Sequence, residues 1–149
     1  MADSQTKTAS CTFLAIDRGS KLILSYYVGK RNAESTDVFI ADLRKRVKGR
    51  AQITTDGLQT YVAAMIDSFY GEVDFAQQIK TYHNYPAISP QDHRRYSSHG
   101  VKMVKTLVHI GFPDRSRIST SHVERTNLTV RLFNRRFTRL PLYALRQIL

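Results

Sequence analysis

Short apolar runs alternate with helix patterns over the first 82 residues, and this order restricts the fold more than any other feature of the chain. β-Branched and apolar runs predict strands, whereas apolar residues at four-residue spacing predict helices. The predicted order is a hairpin of strands at 12–16 and 22–28, a helix capped by Asn32 and ended by Gly49, a strand at 51–55, a helix at 58–70 and a strand at 73–82. A hairpin followed by alternating helices and strands predicts an α/β fold with a mixed sheet flanked by helices.

The remainder of the chain has a weaker pattern. Residues 83–117 contain three prolines and no sustained period, so they predict an irregular insertion with a short strand-like piece at 104–110. From Ser121 onward, apolar residues at helical spacing predict a further helix. Residues 1–10 are polar and predict a disordered tail, which leaves residues 11–149 as one predicted domain.

Positive charge is concentrated in the last third of the chain. The sequence has 23 Lys and Arg against 12 Asp and Glu, a net charge of +11. Residues 93–149 hold twelve of the basic residues, ten of them arginine, and only two acids. Because the guanidinium group matches the geometry of phosphate oxygens, this excess favours a nucleic-acid partner.

The single cysteine and the absence of long apolar runs restrict the compartment. Cys11 has no second cysteine with which to form an internal disulfide, and a cysteine-rich zinc module is excluded. No apolar run reaches the roughly 18 residues that cross a bilayer, and the first ten residues lack the apolar stretch of a signal peptide. These features predict a cytoplasmic protein without a membrane partner.

Asp56 follows the predicted strand at 51–55 and immediately precedes Gly57. The carboxyl ends of strands in α/β sheets are where ligands gather, so Asp56 is a candidate site residue. An Asp-Gly pair is also typical of a turn in which the Asp side chain stabilises its own loop. The local pattern by itself favours the turn.

Glu124 is the second candidate acid. It ends the segment Ser121-His122-Val123-Glu124, which matches a capping box with Ser121 as the N-cap. Arg131 and Arg135 follow Glu124 by 7 and 11 residues, so on a helix the three share one face within about 20°. Such a row is either a weak surface ion-pair series or a carboxylate flanked by groups that hold a phosphate backbone.

Two acids brought together would suit phosphodiester chemistry. Cleaving or joining a DNA strand requires an activated oxygen nucleophile and stabilisation of negative charge. Two Mg²⁺ ions about 3.5–4 Å apart can supply both, and Asp and Glu oxygens are preferred ligands for this hard cation. Two acids are the minimum for such a site, and a third normally completes it.

Five blocks of the sequence closely resemble transposases of the insertion-sequence-one (IS-one) family. They are AIDRGSKLILSYYVGKRNAES, GRAQITTDGLQTYVAAM, GEVDFAQQIKTY, RRYS and ISTSHVERTNLTVRLFNRRFTRL, and the match extends over roughly residues 12–140. The resemblance implies a ribonuclease-H-like fold of the retroviral-integrase type and a DDE site for a divalent metal, Mg²⁺ or Mn²⁺. It matches the second acid of that site to Asp56 and the third to Glu124.

The sequence departs from the family pattern at both ends. The family's first catalytic aspartate lies on a strand before residues 12–16, whereas residues 1–10 contain only Asp3, in a segment without strand character. Asp17 ends an apolar run, but its place on the second strand of the pattern, at the mouth of the hairpin, argues against it as a substitute. The family's amino-terminal DNA-recognition module is also missing, and the match ends before Pro141. The expected fold is therefore a truncated core whose sheet lacks its first strand.

The resemblance implies a function in the transposition of an insertion element, by cleavage and transfer of DNA strands at the transposon ends. Asp56 and Glu124 would then be catalytic metal ligands. The expected DNA contacts are the arginines of the last helix pattern and the residues after it, namely Arg125, Arg131, Arg135, Arg136 and Arg139. Because the first acid is not found, the alternatives are a catalytically inactive, basic nucleic-acid-binding remnant and a structural remnant without function. A sheet that lacks a strand exposes an edge, so a second copy or a longer transposase chain is the expected protein partner.

Overall fold

The computed structural model describes residues 10–82, 101–133 and 145–148. The described elements are, in chain order, β1 (Ser10–Ile16), β2 (Ile23–Lys30), α1 (Ala33–Arg46), β3 (Ala51–Thr55), α2 (Thr60–Phe69), β4 (Val73–Tyr82), β5 (Val101–Ile110), a 3-10 turn (Arg115–Arg117), α3 (Ser121–Phe133) and β6 (Leu145–Ile148). The described strands form one mixed sheet in the order β2-β1-β6-β3-β4-β5. The predicted mixed α/β architecture is confirmed.

The strands of the first half lie close to their predicted positions. β1 and β2 form the expected antiparallel hairpin, with Ser10 opposite Lys30 and Ile16 opposite Ile23. β3 and β4 have the predicted bounds and pair in parallel, from Ala51 opposite Val73 onward. A parallel pair requires a crossover connection, which α2 provides.

Both predicted helices of the first half are present. Asn32 is the N-cap of α1, and its side-chain oxygen accepts a hydrogen bond from the Ser35 N–H at 3.0 Å. That helix ends at Arg46, shortly before Gly49, whose φ of +69° lies in the left-handed region. α2 begins two residues later than the predicted 58–70, because the N–H of Leu58 is held in a turn by the Asp56 carboxylate.

The large hydrophobic core lies between the sheet and the pair α1–α2. It joins alternate residues of β1, β3 and β4 to the inner faces of the two helices. Its buried members are Cys11, Phe13, Ala15, Phe39, Ile40, Leu43, Ile53, Tyr61, Ala64, Met65, Phe69, Val73 and Phe75. Three aromatic rings pack around Phe13, namely those of Tyr27, Phe39 and Tyr61, with centroids 5.6–6.3 Å away.

α3 covers the opposite face of the sheet with far fewer apolar contacts. Leu14 and Ile16, which alternate with the core residues of β1, form a small buried cluster with Val123 of α3. Helices therefore flank both faces of the sheet, as the pattern of strands and helices predicted.

Residues 101–110 are a full strand, so the strand-like piece predicted at 104–110 is confirmed, and the prediction of irregular structure is wrong only at 101–103. β5 pairs antiparallel with β4, from Phe75 opposite Ile110 to Tyr82 opposite Val101. The strand lies at the edge of the sheet, and most of its side chains are exposed. Without one buried face it has no clear alternation of apolar and polar residues, so the pattern that normally marks a strand is weak. The rest of the predicted insertion up to residue 100 lies outside the described residues.

The position between β1 and β3 is occupied by β6, a strand that the sequence did not predict. β6 runs parallel to β1, with Thr12 opposite Leu145 and Ala15 opposite Ile148. It meets β3 through one antiparallel pair, Thr55 with Ile148. The expected open edge at this position is thus corrected, because a carboxyl-terminal segment fills the centre of the sheet. Four residues that include Arg146 and Gln147 are too short and too polar to stand out as a strand.

Candidate functional site

Asp56 lies where the sequence placed it, directly after β3 and half-buried in the turn that leads to α2. Its carboxylate Oδ1 accepts a hydrogen bond from the N–H of Leu58 at 3.0 Å. Asp56 therefore does stabilise its own Asp-Gly turn. Gly57 is needed beside it, since an added Cβ would come within 2.9 Å of the Ile79 side chain.

Gln77 of β4 holds this turn through hydrogen bonds from its side chain. Its side chain is buried, and its amide nitrogen donates to the carbonyl oxygens of Asp56 at 2.9 Å and Leu58 at 3.0 Å. Its amide oxygen lies 3.0 Å from Nε2 of His109, whose ring stacks on Phe75. The backbone that carries Asp56 is thus held by a buried polar side chain and not only by the strand it follows.

Gln78, the next residue of β4, faces the other side of the sheet and holds the start of α3. Its amide oxygen accepts from the N–H of Thr120 at 3.1 Å, and its amide nitrogen donates to the carbonyl of Ile118 at 3.3 Å. Thr120 is buried, and its carbonyl accepts the first helical hydrogen bond, from Glu124 N–H at 3.1 Å. β4 thereby positions the first turn of α3.

Glu124 is bound by two polar groups in this first turn. Its Oε1 lies 2.8 Å from the Thr120 hydroxyl, which donates to it, and 2.6 Å from the Lys80 ammonium. The predicted capping box is wrong in register: α3 begins at Ser121, so Thr120 occupies the N-cap position, and the Glu124 side chain is directed to Thr120 and Lys80.

The two candidate acids are connected through β4. Thr55 is paired with Gln77, so Asp56 follows β3 at the level of Gln78. Gln78 contacts Thr120, and Thr120 contacts Glu124. A continuous set of residues on β3, β4 and α3 therefore connects the loop of Asp56 with the helix of Glu124.

The described residues do not by themselves provide a metal site of the expected kind. Among them, no group of three or more His, Cys, Asp or Glu side chains is placed to hold a metal ion. The Lys80 side chain is only 16% exposed, whereas Glu124 is 47% exposed, so an ammonium group is already held against this carboxylate. The oxygen donors of Asp56 and Glu124 suit Mg²⁺ or Mn²⁺ chemically, but two acids with a bound lysine do not complete such a site.

The predicted DNA-binding arginines are described only in part. Arg125 lies on α3 with an exposed side chain. Arg131 is within the same helix, where only its backbone is described. The remaining three, Arg135, Arg136 and Arg139, lie outside the described residues.

Basic groups from the β1–β2 loop meet the start of α3. Arg18 donates from Nη1 to the carbonyl of Arg117 at 2.9 Å, and Nζ of Lys21 lies 3.1 Å from Nδ1 of His122. The nearby charge of Lys21, with smaller contributions from burial, Arg18 and Arg125, lowers the pKa of His122. Cationic side chains therefore lie near His122 at the start of α3.

The Asp17 carboxylate is hydrogen-bonded within its own loop. Its Oδ2 accepts hydrogen bonds from the Ser20 N–H at 2.7 Å and the Ser20 hydroxyl at 2.6 Å. These bonds, the hydroxyl first, lower the pKa of Asp17. The carboxylate closes the hairpin loop, in agreement with the interpretation that it does not replace the missing first acid.

Sequence reasoning missed the residues that support both acids. The strand that contains Gln77, Gln78 and Lys80 was predicted correctly, but these polar side chains were not predicted to contact the site. Side chains two apart on a strand share a face, so Gln78 and Lys80 could have been grouped on one side and Gln77 on the other. Arg18 and Lys21 carried no such signal, because only the fold brings their loop to α3.

No family model, curated protein or solved structure matches the chain. None of the described helices is both long and apolar enough to cross a membrane.

Proposed function

We propose that this chain is the ribonuclease-H-like core of an IS-one-type DNA transposase, which binds transposon ends for strand cleavage and transfer. In this proposal Asp56 and Glu124 are two of the three acids of the catalytic site. The proposal rests on one observation above others, which is that β4 holds both acids: Gln77 fixes the loop of Asp56, while Gln78 and Lys80 fix the start of α3 and Glu124.

The architecture supports this assignment. An antiparallel hairpin is followed by a parallel β3–β4 pair, with α1 and α2 on one face of the sheet and α3 on the other. Such a mixed sheet, with one acid after a strand and another on a facing helix, is what the resemblance to the family implies.

Charge supports a nucleic-acid partner independently of the resemblance. The net charge of +11 attracts polyanions, and cationic side chains lie near His122 at the start of α3. Phosphate contacts by Lys and Arg provide the part of DNA affinity that does not depend on base sequence.

With only two of the three catalytic acids, the described residues do not form a complete cleavage site. The described residues supply two acids where the family site requires three, and Lys80 is paired with one of them. Under the proposal, the remaining acid comes from outside the described residues, from this chain or from a longer transposase chain that pairs with it.

The test is cleavage of a plasmid that carries the genomic sequence flanking this reading frame, with Mg²⁺ or Mn²⁺ in the buffer. We expect Asp56→Asn and Glu124→Gln each to reduce nicking by at least about 100-fold, as is usual when a general catalytic group is lost. Asp67→Asn, which neutralises an exposed acid of α2, is the matched control and should nick as the wild type does. Nicking that survives both site substitutions would disprove the assignment of the acids.

A catalytically inactive DNA-binding core is the second candidate, and the Lys80–Glu124 ion pair favours it. An ammonium group 2.6 Å from the carboxylate neutralises the charge that would otherwise attract a metal ion. This candidate predicts salt-sensitive DNA binding without nicking by the wild type. Lys80→Met should then leave the chain equally inactive, whereas an active core that Lys80 merely restrains should nick faster.

A further inference from the structure

The exposed β1–β2 loop is closed by hydrogen bonds within the loop. The N–H of Asp17 donates to the carbonyl of Leu22 at 2.9 Å, and the N–H of Lys21 donates back to the carbonyl of Asp17 at 2.9 Å. The Asp17 carboxylate holds Ser20 through two further hydrogen bonds. The side chains that project from this loop are therefore presented by a fixed backbone.

Lys21 has an unfavourable backbone conformation in this loop. Its φ is +63°, a left-handed value that glycine adopts without cost and that few other residues adopt. Its ammonium group donates to the carbonyl of Arg18 and lies 3.1 Å from Nδ1 of His122. Residues kept in such conformations cluster at functional sites, where the surrounding structure holds them.

Four basic side chains, two from this loop and two from α3, lie near one another on the surface. Arg18 is anchored by the carbonyl of Arg117, and Lys21 contacts His122 in the first turn of α3. Arg125 lies one turn further along that helix, close enough to His122 to lower its pKa. Two carboxylates lie near this cluster: Asp17 binds Ser20 and interacts electrostatically with Lys21, and Asp114 binds Ser116 and interacts with Arg18. Their hydrogen bonds are made within their own loops, so in the described part of the chain neither carboxylate forms a salt bridge with these bases.

We propose that Arg18, Lys21, His122 and Arg125 form a binding site for a phosphodiester group of the DNA strand. A planar guanidinium and a compact ammonium offer several N–H donors to one phosphate, and the N-terminus of α3 adds the attraction of its helix dipole. The site deepens the proposed function, on which it rests, because His122 and Arg125 belong to the helix that carries Glu124. It adds the β1–β2 loop to a DNA surface that the sequence placed only in the arginine-rich last third.

The test is fluorescence anisotropy of a labelled 20-base-pair duplex with the full chain, measured from about 50 to 200 mM NaCl. Each phosphate contact contributes about −0.9 to the slope of log K against log salt, so the loss of one contact makes the slope shallower by about 0.9. We expect Lys21→Gln and Lys21→Gly each to show this change and to weaken binding about 3- to 10-fold at the lowest salt. Lys21→Gly also removes the backbone strain, so its Tm should be at least that of the wild type. A loss of affinity in a fold that is equally stable or more stable excludes misfolding as the cause.

Lys48→Gln is the matched control, because it removes the same charge from the segment after α1, whose helix packs on the other face of the sheet. It should leave affinity and slope nearly unchanged. If Lys21→Gln and Arg18→Gln behave like this control while Arg125→Ala weakens binding, the chain binds DNA but the loop site is disproved.

A second measurement separates the loop site from the proposed function as a whole. Inorganic phosphate is titrated into the labelled chain, and the amide resonances of Lys21 and His122 are followed by NMR. If the wild type binds no DNA but phosphate shifts these resonances, the phosphate site stands and the transposase assignment fails. If neither DNA nor phosphate has an effect, both are disproved.

Discussion

The two faces of the sheet are covered by different kinds of side chains. The face covered by α1 and α2 buries a continuous apolar cluster in which aromatic rings surround Phe13. The face covered by α3 buries only Leu14, Ile16 and Val123 as an apolar cluster, and beside them lie Gln78, Thr120, Lys80 and Glu124. Although both faces are formed by the same strands, one is dominated by apolar packing and the other by hydrogen bonds and charge.

Under the proposed function, this difference separates the residues that stabilise the fold from those that act on DNA. Apolar burial contributes roughly 25 cal/mol per Å², so the α1–α2 face carries most of the free energy that holds the strands together. Each hydrogen bond or exposed ion pair contributes much less net stability, but these interactions orient the polar side chains and determine the charge of this face. The α3 face is therefore where substitutions should change DNA chemistry more than they change folding.

Truncation of a core residue on each face should give the largest effect and tests the comparison directly. Phe39→Ala removes a fully buried ring and should reduce the free energy of unfolding by about 3–5 kcal/mol. Val123→Ala removes two methyl groups from the small cluster and should cost only about 1–2 kcal/mol. Urea unfolding followed by circular dichroism measures both, and equal losses would contradict the division between the faces.

Gln77 is a polar residue on the apolar face, and its replacement should have an intermediate effect. Gln77→Leu leaves the carbonyl oxygens of Asp56 and Leu58 without the amide that binds them, which should cost about 1–3 kcal/mol. The exposed Gln59, at the start of α2 and without a side-chain cap bond, provides the control Gln59→Leu. A Gln77→Leu variant as stable as this control would show that the buried amide does not hold the Asp56 turn.

The same contrast explains what could be predicted from the sequence. Residues on the apolar face follow simple periodicities, so α1, β3 and β4 were predicted within a few residues, and the N-cap Asn32 was identified correctly. Two other strands had weaker patterns: β5, most of whose side chains are exposed, was predicted only over 104–110, and β6, which is four residues long, was not predicted.

The site was predictable only in its outline. Asp56 and Glu124 were singled out from the sequence, and the structure connects them through β4, but the role of Lys80 depends on a contact between residues 44 positions apart. Arg18 and Arg117 are separated by 99 positions. No local pattern encodes contacts of that range, since they arise from the packing of α3 across the sheet.

Acid should remove the stabilisation that charged groups contribute on the α3 side of β4, and Asp74 provides the smallest and most specific test of that contribution. Asp74 lies on β4 in the same alternation as Gln78, and its carboxylate accepts hydrogen bonds from Arg50 at 2.7 Å and from the N–H of Phe112 at 2.9 Å. The hydrogen bond from Arg50 is the main cause that lowers the pKa of Asp74 below 3.8. Because the folded pKa lies below the unfolded value, the stabilisation is complete above about pH 3.8 and is lost as the pH falls through the lower, folded pKa.

Replacing Asp74 with Asn keeps the size of the side chain but removes this titration. The stability of Asp74→Asn should therefore change less steeply than that of the wild type when the pH is lowered from 5 to 2, whereas the two curves should run parallel above pH 5. Asp67→Asn, at an exposed position of α2, is the control and should retain the wild-type slope. Thermal unfolding at half-unit pH intervals gives the comparison. An unchanged slope for Asp74→Asn would show that acid acts on the rest of the molecule and that Asp74 contributes no such stabilisation on the α3 side of β4.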